Sequence, residues 1–144
     1  MKMLETMIHI ATNAHSRQFD KGGNPYILHP LHVMHKVRHT DEATMCIAVG
    51  HDLFEDTYVT PEMLRANGIS ERVIEGIQAL TKVEGESYED YKAKVKANPD
   101  AVNVKMEDLR HNSDLRRLKD VTPKDVERVA RYMQFYKELS ELSK

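Results

Sequence analysis

Hydrophobic residues recur along most of the chain at steps of three and four, the spacing of one face of an α-helix. The first stripe consists of Met3, Leu4, Met7, Ile8, Ala11 and Ala14. The last consists of Val126, Val129, Ala130, Met133 and Tyr136. Strict alternation of polar and apolar residues, typical of strands, is nearly absent. The pattern therefore predicts an all-α fold, a single helical bundle.

Polar and turn-forming residues divide this pattern into separate helices. Asp20 to Pro25 reads as a loop, and His29-Pro30 as the start of the second helix. Further helix starts are predicted at Asp41, Thr60, Ser70, Ser87, Asn98 and Thr122. The helix that begins after Asp41 is expected to continue at least to Leu53, and Gly68 is expected to end a later one.

Length and composition narrow the class of protein. A chain of 144 residues with 40% hydrophobic residues predicts one domain, spanning 1–144, with an adequate core. A single cysteine, Cys46, excludes an internal disulfide and multi-cysteine zinc motifs. The net charge of −2 disfavours a nucleic-acid partner. No apolar run approaches the ~18 residues of a membrane span. No signal peptide is evident at the N-terminus, so a cytoplasmic location is expected.

Eight histidines are present, and five of them lie between His29 and His51. The last of these five opens the segment HDLFED. If the helix continues, Glu55 lies four residues after His51 and Asp56 four after Asp52, on a shared flank. Such crowded ionisable groups repel one another unless a cation is present, which indicates a metal site. A hydrogen-bonded pair at a helix end remains the alternative for His51 and Asp52.

Two further side chains complete a candidate ligand set. His29 follows the glycine-containing loop, and Asp108 lies in a helix with one apolar side. Two imidazoles and two carboxylates suit Mn²⁺, Fe²⁺ or Zn²⁺ better than Ca²⁺. Such an ion lowers the pKa of bound water. Taken singly, His29 could equally be a cap or a hydrogen-bonded semi-buried histidine, and Asp108 an exposed helix acid.

Other polar and aromatic residues have simpler interpretations. The remaining early histidines are expected to be structural or solvated, and the tyrosines to pack in the core. A basic run predicts a solvated face, or else a rim that faces phosphate; it comprises Arg110, Arg116, Arg117 and Lys119. The aromatic residues of the last helix fit packing against the N-terminal helix, or self-association into a homo-oligomer.

Four motifs occur in a recognisable order: AHSRQFDKGGNPYILHP, GHDLFEDT, LTKVEGESYEDY and VKMEDLRHNSDLRRL. Together they resemble the hydrolase domain of the RelA/SpoT-type alarmone enzymes, and within these the stand-alone small alarmone hydrolases. That domain is a branch of the HD-domain metal-dependent phosphohydrolases. The resemblance extends from about Ala11 to about Leu118. A chain of this length is not expected to contain a second, nucleotide-synthesising domain.

The resemblance implies a role for each matching residue. A single Mn²⁺-like ion would be held by His29, His51, Asp52 and Asp108. The paired acids Glu55 and Asp56 would position or deprotonate the attacking water, and Lys21 and Asn112 would contact the nucleotide. The implied reaction removes the 3′-diphosphate of guanosine tetra- or pentaphosphate, giving pyrophosphate and GDP or GTP.

The sequence departs from the family at positions expected to select the base of the nucleotide. Asp20 stands where the long enzymes carry an arginine thought to stack on guanine, and an anion cannot make that contact. After Asn112 the usual arginine and threonine region reads Ser113, Asp114, Leu115. Alternatives are therefore an adenosine alarmone, a nucleoside monophosphate or another phosphoester as the substrate. A nucleotide-sensing module without catalysis is a further alternative.

Overall fold

A computed structural model describes residues 1–142 and confirms the all-α prediction. Over this range the chain forms helices joined by loops and no β-strand; an isolated bridge pairs Phe19 with Pro25. The α-helices are α1 (Lys2–Ala14), α2 (Leu28–Lys36), α3 (Glu42–Gly50), α4 (Leu53–Asp56), α5 (Pro61–Ala66), α6 (Glu71–Ala79), α7 (Tyr88–Lys96), α8 (Pro99–Asn112) and α9 (Pro123–Glu141). A short 3-10 helix, Leu115–Arg117, lies between α8 and α9.

Helix α3 occupies the centre of the bundle and packs against α1, α2, α6 and α8. Its last five residues, 46–50, are all buried. A Cβ atom on Gly50 would lie 2.5 Å from Met7 Cε and 2.9 Å from Ile77 Cδ1, so a larger residue would require these two side chains to move. The end of α3, and with it the segment that follows, is thereby held in the interior.

Side-chain caps set most of the helix starts as predicted. At five positions a side-chain oxygen accepts a hydrogen bond from the backbone N–H three residues later. These positions are Asp41, Thr60, Ser87, Asn98 and Thr122. Gly68 has a φ of 83°, in the left-handed region, just after α5, as expected for a helix end.

The prediction of one continuous helix through His51 to Leu53 is wrong. Helix α3 ends at Gly50, and α4 begins at Leu53. His51 Nδ1 donates to the Ala48 carbonyl at 2.6 Å and so competes with the backbone for that acceptor. Asp52 has φ −103° and ψ 2°, outside the helical range, so the His-Asp pair lies in the turn between two helices.

Helix α8 continues past Leu109 to Asn112. This extension places Asp108 and Asn112 one turn apart on the same helix. Helix α9 packs on α8 and not, as expected, mainly on α1. Phe135 of α9 is buried there, at 1% exposure.

Among residues 1–142, none of the helices has the length and hydropathy needed to cross a membrane.

Candidate metal centre and two adjoining cavities

Three buried side chains from distant parts of the chain meet at one point. His29 comes from the first turn of α2, His51 from the turn after α3, and Asp108 from the third turn of α8. Among the described residues, one potential ligand atom from each lies within 4.8 Å of the other two. We call these three residues the metal cluster, because a single ion could contact all of them.

The tautomer of His51 is set by its backbone contact. Since Nδ1 carries the hydrogen donated to Ala48, the lone pair of a neutral ring lies on Nε2. Nε2 is 3.3 Å from Asp108 Oδ1 and 3.1 Å from Asp52 Oδ2, but this buried nitrogen makes no hydrogen bond. A lone pair that faces two carboxylate oxygens is stable only with a cation between them, either a proton or a metal ion.

The charges around the metal cluster also favour a bound cation. Burial lowers the pKa of His51, but the charges of Asp52 and Asp108 outweigh it and raise that pKa well above its usual range. Burial likewise raises the pKa of Asp108, but Lys105 and His51 outweigh it and hold that pKa well below its ordinary value. The cluster is therefore a buried site of negative potential that attracts positive charge.

His29 is oriented by a residue that the sequence analysis did not single out, His111. Nε2 of His29 lies 2.8 Å from Asp108 Oδ1, and its Nδ1 lies 2.7 Å from His111 Nδ1. Burial, helped by the charge of Arg117, lowers the pKa of His111 to about 3, so this ring is neutral and can accept a hydrogen from His29. A hydrogen bond of this kind, made by the ring nitrogen that does not face the metal, fixes the ligating nitrogen of a histidine. The spacing of His111, three residues after Asp108, could have revealed it.

Asp108 is the most highly connected carboxylate of the site. Its Oδ1 accepts from Asn112 Nδ2 at 2.9 Å, and its Oδ2 from Lys105 Nζ at 3.0 Å. Burial lowers the pKa of Lys105, but Asp108 more than compensates and raises it, so the lysine stays charged. Lys105 was also missed by the sequence analysis, although it lies three residues before Asp108 on the same helix face.

Asp52 lies at the edge of the cluster. It is outside the group of three mutually close ligands, although its Oδ2 faces His51 and its side chain is 19% exposed. The hydroxyl of Tyr26 donates to the same oxygen. Burial and then the charge of Asp52 raise the pKa of Tyr26, so the phenol keeps its proton and remains the donor.

The donor set fits a divalent metal ion. Imidazole nitrogens with carboxylate oxygens are the ligands that Mn²⁺, Fe²⁺ and Zn²⁺ share. Nε2 of His51 makes no hydrogen bond and faces two carboxylate oxygens, an arrangement that a bound cation would stabilise.

A first cavity of about 220 Å³ adjoins the cluster, and we call it the inner cavity. Its lining residues are His51, Asp52, Glu55, Leu80, Lys82, Tyr88, Tyr91, Lys105 and Asp108. Glu55 is anchored there, because its Oε1 accepts from the backbone N–H of Lys82 at 2.9 Å. Asp56 does not line this cavity. Its partial burial, then the charges of Asp52 and Glu55, raise its pKa to about 6.

A second cavity of about 300 Å³, the outer cavity, lies beyond Tyr26 and Asn112. Its lining residues are Phe19, Asp20, Lys21, Gly22, Tyr26, Asn112, Asp114, Leu115, Arg117, Leu118, Arg128 and Tyr132. The two sequence-derived candidates for nucleotide contact, Lys21 and Asn112, thus share one cavity. Tyr26 and Asn112 also bond to Asp52 and Asp108, so these two side chains connect the wall of the outer cavity to the site of the metal cluster.

The two acids of the outer cavity are occupied by local contacts. Asp20 Oδ1 accepts from the backbone N–H groups of Gly22 and Asn24, both at 2.9 Å, and so closes the loop before α2. Asp114 binds the guanidinium of Arg116 with both oxygens, at 2.8 and 2.9 Å. Neither carboxylate is therefore a free negative charge in the cavity.

The described chain is thus an all-helical bundle in which a His-Asp pair in a turn lies beside two further buried potential ligands, His29 and Asp108. No family model matches the chain. Comparison with known proteins nevertheless gives a more particular result.

The chain is 37% identical over 78 residues to the guanosine-3′,5′-bis(diphosphate) 3′-pyrophosphohydrolase of Haemophilus influenzae, covering 51% of this chain and 12% of that protein. It is 32% identical over 112 residues to the protein of the same name from Aquifex aeolicus, covering 71% of this chain and 16% of that one. The chain thus matches less than a fifth of the length of these relatives. The resemblance to RelA/SpoT-type proteins is confirmed as sequence similarity to a segment of them.

One solved structure has the same fold over nearly the whole chain. It is described as a metazoan ortholog of SpoT that hydrolyzes ppGpp and plays a role in starvation responses. The TM-score is 0.76 at 20% identity, and the match covers 99% of this chain and 85% of that one. This likeness establishes the HD-type helical fold.

Proposed function

We propose that the chain is a single-domain, metal-dependent nucleotide 3′-pyrophosphohydrolase. Its substrate would be a (p)ppGpp-like alarmone, and the reaction adds water to release pyrophosphate and leave GDP or GTP. The observation that carries this proposal is the convergence of His29, His51 and Asp108 beside a cavity that contains Lys21 and Asn112. Similarity to segments of two named 3′-pyrophosphohydrolases supports the choice of substrate.

The metal would be held by His29, His51 and Asp108, with Asp52 as the fourth ligand. We propose Mn²⁺ as the ion, because the mixed nitrogen and oxygen donor set accepts it. Bound there, a divalent ion supplies a water of lowered pKa and positive charge next to the phosphate. His111 and Lys105 would orient the ligands His29 and Asp108 from behind.

The roles of the paired acids differ in this proposal. Glu55 lines the inner cavity together with residues of the metal cluster, and its carboxylate would orient the water and accept its proton. Asp56 would act at longer range, since its carboxyl lies outside that cavity. Lys21 and Asn112 would hold the nucleotide in the outer cavity, where Lys21 balances phosphate charge.

The test is pyrophosphate release from guanosine tetraphosphate with and without Mn²⁺. Wild type should release pyrophosphate only with the ion, and His51→Ala and Asp52→Ala should lose activity by about 100-fold or more. His39→Ala, at an exposed position away from the site, is the matched control and should stay active. Activity that survives His51→Ala, or that needs no metal, would contradict the proposal. Replacing Mn²⁺ with Fe²⁺ or Zn²⁺ tests the choice of ion.

A second candidate function keeps the metal site and changes the nucleotide. It is favoured by the position of Asp20 and Asp114 in the outer cavity, where the family would supply cations. An adenosine alarmone or a nucleoside monophosphate would then be the substrate. A panel of nucleotides, scored for pyrophosphate against orthophosphate, separates these possibilities. Cytoplasmic location and self-association remain predictions.

A further inference from the structure

We propose that Arg117 is the side chain that binds a phosphate group of the nucleotide in the outer cavity. Arg117 lies across the cavity wall from Asp20, the position at which the family resemblance leads one to expect a base-stacking arginine. This inference rests on the proposed function for its choice of ligand, a nucleotide with diphosphate groups. The basic run was expected to be either a solvated face or a rim that faces phosphate. Arg117 lines the cavity and its neighbour Arg116 faces solvent, so the second interpretation applies to Arg117.

The guanidinium of Arg117 is held at the junction of three segments. Its Nη1 donates to the His111 carbonyl at 3.1 Å and to Asn112 Oδ1 at 3.2 Å. Its Nη2 lies 3.5 Å from Asp20 Oδ2, across the cavity wall. The side chain is 23% exposed, so it is held in place yet accessible. Through Asn112 it is also one residue away from Asp108 of the metal cluster.

Donor groups remain on Arg117 for a ligand. A guanidinium carries five N–H donors in a fixed fork. The contacts to His111, Asn112 and Asp20 account for three of them, and among residues 1–142 no acceptor is seen for Nε–H or the second Nη2–H. In a guanidinium, Nε–H and one Nη2–H lie on the same edge of the fork, and such an edge can bind two phosphate oxygens.

Three cationic side chains line the outer cavity, namely Lys21, Arg117 and Arg128, and of the two arginines Arg117 has the longer and weaker ion pair. Arg128 is bonded to Asp125 at 2.8 Å, and Asp114 is neutralised by Arg116. Asp20 already satisfies the loop through its other oxygen, and its 3.5 Å contact to Arg117 is long for a charge-assisted hydrogen bond. A phosphate can therefore compete for the guanidinium at little cost.

The cavity also provides an apolar wall on which a base can lie. Phe19, Leu115, Leu118 and Tyr132 line it together with the polar groups. Aromatic rings bind any base through stacking. A nucleotide placed with its base against this wall and its phosphates toward Arg117 and Lys21 would use both kinds of surface.

The position of Arg117 is fixed relative to the loop of Lys21. A Cβ atom on Gly22 would lie 2.2 Å from the Arg117 carbonyl oxygen, closer than any real contact, so the loop backbone packs directly on the 3-10 helix. Glycine at position 22 thus permits Lys21 and Arg117 to face one ligand from two sides.

The experiment measures binding of guanosine and adenosine 3′,5′-bis(diphosphate) to metal-free protein by calorimetry, so that no turnover occurs. Arg117→Gln should weaken the binding of whichever nucleotide wild type binds by about 10-fold or more. Arg110→Gln is the matched control: it belongs to the same basic run, its side chain is 61% exposed, it lines neither cavity, and the affinity of this variant should stay within about twofold of wild type. Arg117→Lys, which keeps the charge, should recover part of the loss and replaces the glutamine variant if that one does not fold.

Arg117 could instead have only a structural role and neutralise Asp20. The effect of Arg117→Gln on nucleotide binding in an Asp20→Asn protein distinguishes the two roles. Asp20→Asn keeps the oxygen that closes the loop and removes the charge. If Arg117 binds phosphate, Arg117→Gln still weakens binding by about 10-fold in the Asp20→Asn protein. If the effect of Arg117→Gln disappears in that background, Arg117 only balances Asp20 and the inference is overturned.

The outcomes separate this inference from the proposed function. Wild type that hydrolyses alarmones while Arg117→Gln and Arg110→Gln bind alike overturns the inference alone. Wild type that binds through Arg117 but releases no pyrophosphate with Mn²⁺ overturns the proposed function alone. Metal-free wild type that binds neither nucleotide overturns the inference, and pyrophosphate release with Mn²⁺ then decides the proposed function separately.

Discussion

The metal cluster and the outer cavity are neighbours built in opposite ways. In the metal cluster, His29, His51 and Asp108 are 5% exposed or less, and each is held by a further residue or backbone group. In the outer cavity the polar side chains are partly exposed, and oppositely charged groups such as Asp20 and Arg117 face each other across its wall. One region offers a fixed arrangement of ligands, and the other an adjustable arrangement of charges.

This difference indicates which part of the protein can vary. A buried cluster tolerates few substitutions, because each unsatisfied charge in it is costly. Charges on a partly exposed cavity wall can be exchanged between positions, since what a phosphate requires is a nearby cation and not a particular residue number. The loss of an expected cation at position 20 and the presence of Arg117 opposite it fit that principle.

The largest expected effect is on Mn²⁺ affinity, which should depend on an acid of the metal cluster and not on an acid of the outer cavity. Asp108→Asn should lower Mn²⁺ affinity by about 100-fold or more, because it removes the carboxylate shared by both histidines. Asp114→Asn, two residues beyond the end of α8, should leave Mn²⁺ affinity unchanged. Calorimetric titration with Mn²⁺ checks both. Equal affinities in the two variants would break the distinction between cluster and cavity.

Next in size is the loss of the buried cation beside Asp108. Lys105→Met should lower the free energy of unfolding of metal-free protein by about 3 kcal/mol, since it leaves a buried carboxylate without its lysine. The matched control is Lys94→Met, whose ion pair with Glu86 is more exposed and should cost about 1 kcal/mol or less. Urea unfolding measures both. Similar small losses would mean that Lys105 is not needed to hold Asp108.

A change in the outer cavity should affect the nucleotide but not the metal. Gly22→Ala should cost about 1–3 kcal/mol of stability, because its Cβ would push the loop away from the Arg117 carbonyl. Nucleotide affinity should fall as the loop moves, while Mn²⁺ affinity stays at the wild-type value. An equal loss of metal binding would show that the two regions are not independent.

The smallest expected effect concerns the pH dependence contributed by His111. Its pKa of about 3 in the folded protein lies below the ordinary value of 6.5, so its contribution to stability is complete above pH 6.5 and is lost as the pH falls toward 3. In metal-free protein, the stability of wild type relative to His111→Asn should therefore fall by up to about 1 kcal/mol per pH unit below pH 6.5. Taking this difference cancels the opposite contribution of Asp56, whose raised pKa of about 6 favours the folded state as it protonates. A difference that does not change with pH would contradict the buried, neutral His111.

Much of the fold followed from local sequence signals, because caps and apolar spacing act over a few residues. Asp41, Asn98 and Thr122 begin helices as expected. The break at His51 could not be predicted in the same way, since it depends on a side chain that takes the Ala48 carbonyl in a buried setting.

The residues of the site fall into the same two groups: those that local sequence indicates and those whose contacts form only in the folded chain. Residues that a motif identifies, such as His29 and Asp108, were predicted, whereas the contacts of Arg117 with Asp20 and of His111 with His29 are seen only in the folded chain. Their partners Asp20 and His29 lie 97 and 82 positions away along the chain, too far for spacing to indicate the contact.

The central claim is that two imidazoles and the carboxylates beside them hold one divalent ion. Pulsed electron paramagnetic resonance of the protein titrated with Mn²⁺ tests it most directly, because the spectrum detects nitrogen atoms bound to the ion. We predict one tightly bound Mn²⁺ per chain with two coordinated imidazole nitrogens, and one nitrogen after His29→Gln or His51→Gln. Weak binding, or a bound ion whose spectrum shows no histidine nitrogen, would contradict the account.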